Sequence, residues 1–282
     1  MVSVLVSDFI LHTPYLMPHT LYLIPQMNRL NQLFNTTGKP LLSIYYTAGY
    51  PNLDSTLVIA EALEKAGVDF IEIGFPYSDP LADGPVIQNS SLKALNNGMT
   101  LKLLFEQLKE LRSRVSIPVL LMGYFNTVLQ YGVPEFCKAC AEVGVNGVIV
   151  PDLPMYEYEE LYKDCFLNND VSNVFLITPL TSEERIRKID KLSKSFIYMV
   201  SSSSTTGKNL DVNTSAELYY ARIKKMQLKN PSVIGFGIHD QSSFNKAAEY
   251  TRGAIVGSAF VKFLDTPDSI NRIPEFVQTI RK

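Results

Sequence analysis

The chain has 282 residues, 46% of them hydrophobic and 19% charged, a length that suits two domains or one large barrel and can remove ~75% of the unfolded surface from water. Twenty-six Lys and Arg stand against 28 Asp and Glu, a net charge of -2 without a basic run, which excludes the cationic footprint of a nucleic-acid binder. Lys, Asp, Asn or Pro interrupts every apolar run before it reaches the ~20 residues that span a bilayer.

Residues 1–26 contain no Lys or Arg, one acid (Asp8) and prolines at positions 14, 18 and 25. They lack both the positive start of a secretory signal and the arginines of a transit peptide. Two readings are open: an extra element plugging the bottom of the fold, or, preferred here, a segment appended outside it. The composition changes at Met27, and residues 27–282 read as one catalytic domain. From residue 40 onward, short β-branched or aromatic runs alternate with helical periods, the signature of β/α units around a parallel sheet. Strands are expected at 41–46, 69–74, 117–122, 147–150, 173–177, 196–200, 232–236 and 253–256. Helices are expected at 55–66, 101–114, 134–143, 157–166, 182–192, 214–227, 241–250 and 269–280. No linker divides the series, so the fold class is α/β, a single eight-stranded parallel β/α (TIM) barrel with an N-terminal extension.

Sites on such barrels lie on the loops after the strands. Two of those connections are long: about 25 residues after the second strand and about 13 after the sixth, both read as lids or substrate loops. Cys137, Cys140 and Cys165 are too few for a disulfide framework and fit a reducing, cytoplasmic setting. Cys137 and Cys140 form a C-x-x-C inside a helical stretch, with no second pair to complete a zinc site. Histidine is scarce, His239 being the only one after residue 26. Carboxylates therefore carry any acid/base chemistry.

Glu72 stands in the apolar strand Phe70-Ile71-Glu72-Ile73-Gly74, where alternation puts it on the face of Gly74 and toward the barrel mouth. Burial there should raise its pKa into the range useful for proton transfer; a Glu paired with a nearby Lys or Arg is the alternative. The following loop adds Asp79 and Asp83, of which Asp83, before Gly84, could reach over the same mouth. Late in the chain, Gly235-Phe236-Gly237-Ile238 and Gly257-Ser258-Ala259 follow the last two strands and offer backbone N–H groups to an anion.

Taken together, the stretch FIEIGFPYSDPLADGPVIQ (70–88), Tyr124-Phe125-Asn126, Pro151-Asp152-Leu153-Pro154, Thr206-Gly207, Gly235-Phe236-Gly237 and Gly257-Ser258-Ala259 resembles, in order, the tryptophan synthase α subunit family. The resemblance covers residues 27–282. It implies retro-aldol cleavage of indole-3-glycerol phosphate to indole and glyceraldehyde 3-phosphate, without a metal or organic cofactor. Glu72 then matches the general acid/base, and Asp83 the carboxylate that bonds the indole N–H and stabilises charge developing on the ring. By position, Tyr45, Met122, Ile149, Tyr198 and Phe236 resemble the indole pocket. Gly207, Gly237, Gly257 and Ser258 resemble the phosphate cradle, and Thr206 the threonine that packs on the loop-two aspartate. For Met122 and Ile149, core packing is the alternative, of nearly equal weight. Four serines at 201–204 replace the family's Ser-Arg start of loop six, so Ser202 stands at the arginine's position. The resemblance also implies an α2β2 complex with a pyridoxal-phosphate β subunit. Its alternatives are a stand-alone lyase releasing free indole, another phosphate-binding barrel, which would leave the SDPLADGP loop unexplained, and a non-catalytic scaffold.

Overall fold

A computed structural model describes residues 28–36, 38–200 and 212–281. Nine parallel strand segments form one sheet: β1 (Leu41–Thr47), β2 (Phe70–Gly74), β3 (Val119–Met122), β4 (Gly147–Ile149), β5 (Ser172–Val174), β6 (Leu176–Ile177), β7 (Ile197–Val200), β8 (Ser232–Gly235) and β9 (Gly253–Val256). Their order is β5-β4-β3-β2-β1-β9-β8-β7-β6. The two ends of that order, β5 and β6, are consecutive in the chain and separated only by Phe175. The expected fifth strand is thus divided: its first half pairs with β4 and its second with β7, and the ring closes through the chain itself.

Both faces of the sheet are buried, as a parallel barrel requires. In β1, Leu41 and Tyr45 face the barrel interior while Leu42, Ile44 and Tyr46 face the helices; in β2, Phe70 faces inward and Ile71 and Ile73 outward. The lower end is closed by a helix absent from the sequence reading, Arg29–Thr36. Leu30 and Phe34, one turn apart, enter the interior cluster, where the Phe34 ring lies 5.9 Å from that of Phe70 and 5.1 Å from that of Phe196. Asn28 fixes the start of this helix by donating to the carbonyls of Asn146 (2.9 Å) and Asp170 (2.7 Å) and accepting from the Leu30 N–H. Residues 1–26 lie outside the described residues.

Other departures are local. The long connection after β2 is not all loop, because Pro85–Asn96 is a helix with proline in its first turn; its Ser- and Asn-rich sequence and few buried positions hide the helical period. The helix Phe125–Tyr131 was also unanticipated. The expected helix 101–114 is two, Leu101–Leu108 and Leu111–Arg114. The stretch expected as 157–166 is a helix widened to a π turn over Tyr158–Tyr162. Among the described residues, no helix is long and apolar enough to cross a membrane.

Candidate active site

The carboxyl ends of the strands open onto two cavities, of about 580 Å³ and 560 Å³, which share Tyr45, Asp83, Met122 and Phe236 and are adjoining lobes of one cleft. One lobe is bounded by the loop after β2 together with Tyr77, Tyr124 and Pro151. The other is bounded by Tyr198, Gly237, His239, Gly257, Ser258 and Lys262.

Glu72 occupies the inward face of β2, in register with Tyr45 on β1 and Leu120 on β3. It is 0% exposed, and neither carboxylate oxygen has a hydrogen-bond partner. Pairing with a Lys or Arg is thereby excluded among the described residues. With nothing to compensate the loss of water, burial alone raises its pKa to about 8, so the group is a neutral acid near neutrality and ionises within reach of physiological pH. Its placement corrects the sequence reading in one respect. Alternation pointed it toward the barrel mouth, but the Tyr45 hydroxyl fills the space over Gly74, 2.1 Å from where a Cβ on Gly74 would stand. Glu72 accordingly lines neither lobe and lies beneath the tyrosine.

Tyr198 repeats the device across the barrel: a Cβ on Gly235 would stand 2.0 Å from its hydroxyl. The two inward phenols thus need glycine on the neighbouring strand. Burial pushes both far above the ordinary tyrosine range, which keeps them neutral donors.

Asp83 is held over the cleft by Tyr124, whose hydroxyl donates to Asp83 Oδ2 (3.1 Å) and accepts from the Ala82 N–H (3.1 Å). Tyr77 stacks on Tyr124 at 5.1 Å. Burial raises the Asp83 carboxyl above the usual range, and the Tyr124 hydrogen bond opposes that rise. Asp79 is engaged locally with the Ser78 hydroxyl.

At the far end of the cleft, the chain leaves β8 with Phe236 at φ +72° and Gly237 at φ +78°. A bulky residue held in the left-handed region is a strained conformation of the kind that clusters at functional sites. The His239 Nδ1–H donates to the Gly237 carbonyl (2.9 Å). Gly257 opens the helix Ser258–Leu264, and a Cβ there would meet nothing nearer than Tyr45 at 3.7 Å, so the space before it belongs to the cleft.

Of the residues expected at the site, Tyr45, Asp83, Met122, Tyr198, Phe236, Gly237, Gly257 and Ser258 line the cleft. Ile149 does not: although in register with Met122, it is fully buried in the interior cluster and follows the core-packing alternative. Thr206, Gly207 and Ser202 lie outside the described residues. Lys262 was missed, His239 was noted only for its scarcity, and Tyr124, like Tyr77, was read only as part of a motif. The available signal was its place two residues beyond β3. The C-x-x-C cysteines are both buried, their thiols pushed up by burial, which makes them poor nucleophiles.

The family model for the tryptophan synthase alpha chain matches residues 32–279. The chain belongs to the tryptophan synthase alpha chain family. A tryptophan synthase alpha chain from Flavobacterium psychrophilum is 56% identical over 254 residues, covering 90% of this chain and 100% of the relative. One from Christiangramia forsetii is 54% identical over 255 residues, covering 90% and 99%. Among solved structures, the tryptophan synthase alpha subunit of Legionella pneumophila superposes with a TM-score of 0.81 at 28% identity, covering 91% of this chain and 98% of that one. Tryptophan synthase from M. tuberculosis gives 0.79 at 27%, covering 90% and 98%. As a member of the tryptophan synthase alpha chain family, the chain is a lyase of tryptophan biosynthesis serving the α reaction.

Proposed function

We propose that the cleft cleaves the carbon–carbon bond of indole-3-glycerol phosphate by retro-aldol reaction, giving indole and glyceraldehyde 3-phosphate. The observation that carries this reading is a pair of unlike carboxyls serving one cleft: Glu72, buried without a partner beneath Tyr45, and Asp83, hydrogen-bonded at the cleft wall. Protonated Glu72 gives its proton to carbon 3 of the indole and, as the carboxylate so formed, takes the proton of the adjoining side-chain hydroxyl as the carbon–carbon bond breaks, while Asp83 accepts the indole N–H and stabilises the positive charge that develops on the ring. A carboxyl with a pKa of about 8 is suited to both giving and taking a proton near neutral pH. Since Glu72 lies beneath Tyr45, its carboxylate must turn past that ring to reach the substrate. Met122, Tyr198 and Phe236 present apolar surface to the indole. Backbone N–H groups near Gly237 and Gly257, with the Ser258 hydroxyl, receive the phosphate.

The working assembly in this reading is a cytoplasmic α2β2 complex in which a pyridoxal-phosphate β subunit consumes the indole, and residues 27–282 form the catalytic barrel. Support comes from the family and from the likeness to solved tryptophan synthase. The test is cleavage of indole-3-glycerol phosphate followed with and without a β subunit. Activity that rises sharply with the partner supports the complex, full activity alone supports a stand-alone lyase, and absence of cleavage in both overturns the reading.

A further inference from the structure

We propose that Lys262 positions the substrate's phosphate, supplying the positive charge that the glycine-rich backbone around it lacks; the inference rests on the reading of this cleft as an indole-3-glycerol phosphate site. Lys262 follows Ser258 by four residues on the helix Ser258–Leu264, so the two side chains share one helical face. Both line the lobe formed with Gly237 and Gly257, and among the described residues Lys262 is the one Lys or Arg that lines either lobe.

Its charge is uncommitted. The nearest acid in sequence, Asp265, is paired with Lys93 at 2.9 Å. Asp240 caps the helix Gln241–Tyr250 by accepting from the Ser243 N–H at 2.8 Å. No ion pair is formed by Lys262 among the described residues. A phosphate dianion entering a cleft that already holds Asp83 meets like charge, and neutral N–H and hydroxyl donors orient it without offsetting that charge. An ammonium on a flexible four-carbon stem does offset it, and it draws the anion in by a field that salt screens.

The phosphate keeps its charge while the carbon–carbon bond breaks elsewhere in the molecule. Lys262 therefore acts on binding and not on the chemical step.

The experiment compares the full wild-type chain with Lys262→Met and Lys262→Arg, in complex with the β subunit, on indole-3-glycerol phosphate and on the same compound without its phosphate. Lys262→Met should raise KM for the phosphorylated substrate about tenfold, leave kcat within about twofold and flatten the salt dependence of kcat/KM. It should leave the dephosphorylated compound unaffected, and Lys262→Arg should restore most of the loss. An unchanged KM, or an equal loss on both compounds, overturns the proposal. Calorimetric titration of glycerol 3-phosphate onto the same proteins needs no turnover: binding several-fold weaker to Lys262→Met upholds the role of Lys262 even where the assigned reaction fails, and equal binding overturns it.

Discussion

The hydroxyl of Tyr45 lies where a side chain at position 74 would be, 2.1 Å from the Cβ that Gly74 lacks. Glycine is thus required in β2 by the ring of a residue in β1, and that ring in turn covers Glu72, the register partner of Tyr45. Gly74→Ala should expel the tyrosine from its seat, with an overpacking cost of ~1 to 3 kcal/mol and a loss of indole affinity. Thermal melts together with the KM for indole-3-glycerol phosphate check both effects; a mutant with wild-type values would show that the ring moves freely.

Glu72→Gln should separate catalysis from stability. Loss of a general acid/base group reduces turnover ~10² to 10⁴-fold, while binding of glycerol 3-phosphate stays near wild type. The stability effect has the opposite sign. Below pH 4.5 the carboxyl is protonated in both states; between 4.5 and about 8 the folded chain keeps a proton that the unfolded chain releases. Wild-type stability therefore falls as pH rises through that window, by a few kcal/mol in all. Glu72→Gln removes this contribution, so its melting temperature should exceed that of wild type at pH 8.5 and approach it at pH 5. Parallel melting curves across this range would contradict the buried, unpaired state of Glu72.

Tyr124→Phe takes away the one side-chain donor to Asp83 among the described residues and leaves the ring that stacks on Tyr77. The hydrogen bond lowers the Asp83 pKa against the effect of burial, so its removal raises that pKa. In the proposed role it is the ionised Asp83 that stabilises the charge developing on the indole, so the acid limb of the kcat/KM profile should move to higher pH. At the optimum, ~10-fold of kcat/KM is at stake, about one hydrogen bond to a charged group. An acid limb that stays in place would detach Asp83 from the rate.

Two truncations should behave differently. A chain beginning at Met27 keeps Asn28, Leu30 and Phe34, and is expected to retain its melting temperature within a few degrees and its cleavage rate. A chain beginning at Gly38 loses the helix Arg29–Thr36 and with it the closure of the barrel bottom. Removing two large buried side chains costs ~2 to 5 kcal/mol each, enough to unfold a marginal domain. Equal stability of the two chains would deny the helix its role as a plug.

The order of the β/α units, the buried glutamate in β2 and the glycines after β8 and β9 were all legible in the sequence, because each depends on local period or on a residue type out of place in its surroundings. The number of barrel staves was legible for the same reason, since a parallel strand buried on both faces is a short apolar run wherever it occurs. Contacts distant in sequence were not. The division of the fifth strand at Phe175 follows from which neighbour each half pairs with. The plugging helix has only eight residues and becomes recognisable once Phe70 and Phe196 close around Phe34. The helix Pro85–Asn96 carries too few buried positions to show a period. Most consequentially, alternation alone assigned Glu72 to the inward face, but its depth, its lack of a partner and its cover by Tyr45 were decided by side chains meeting across strands. Sequence period determines which way a side chain points; what it meets there depends on residues brought together only when the barrel closes.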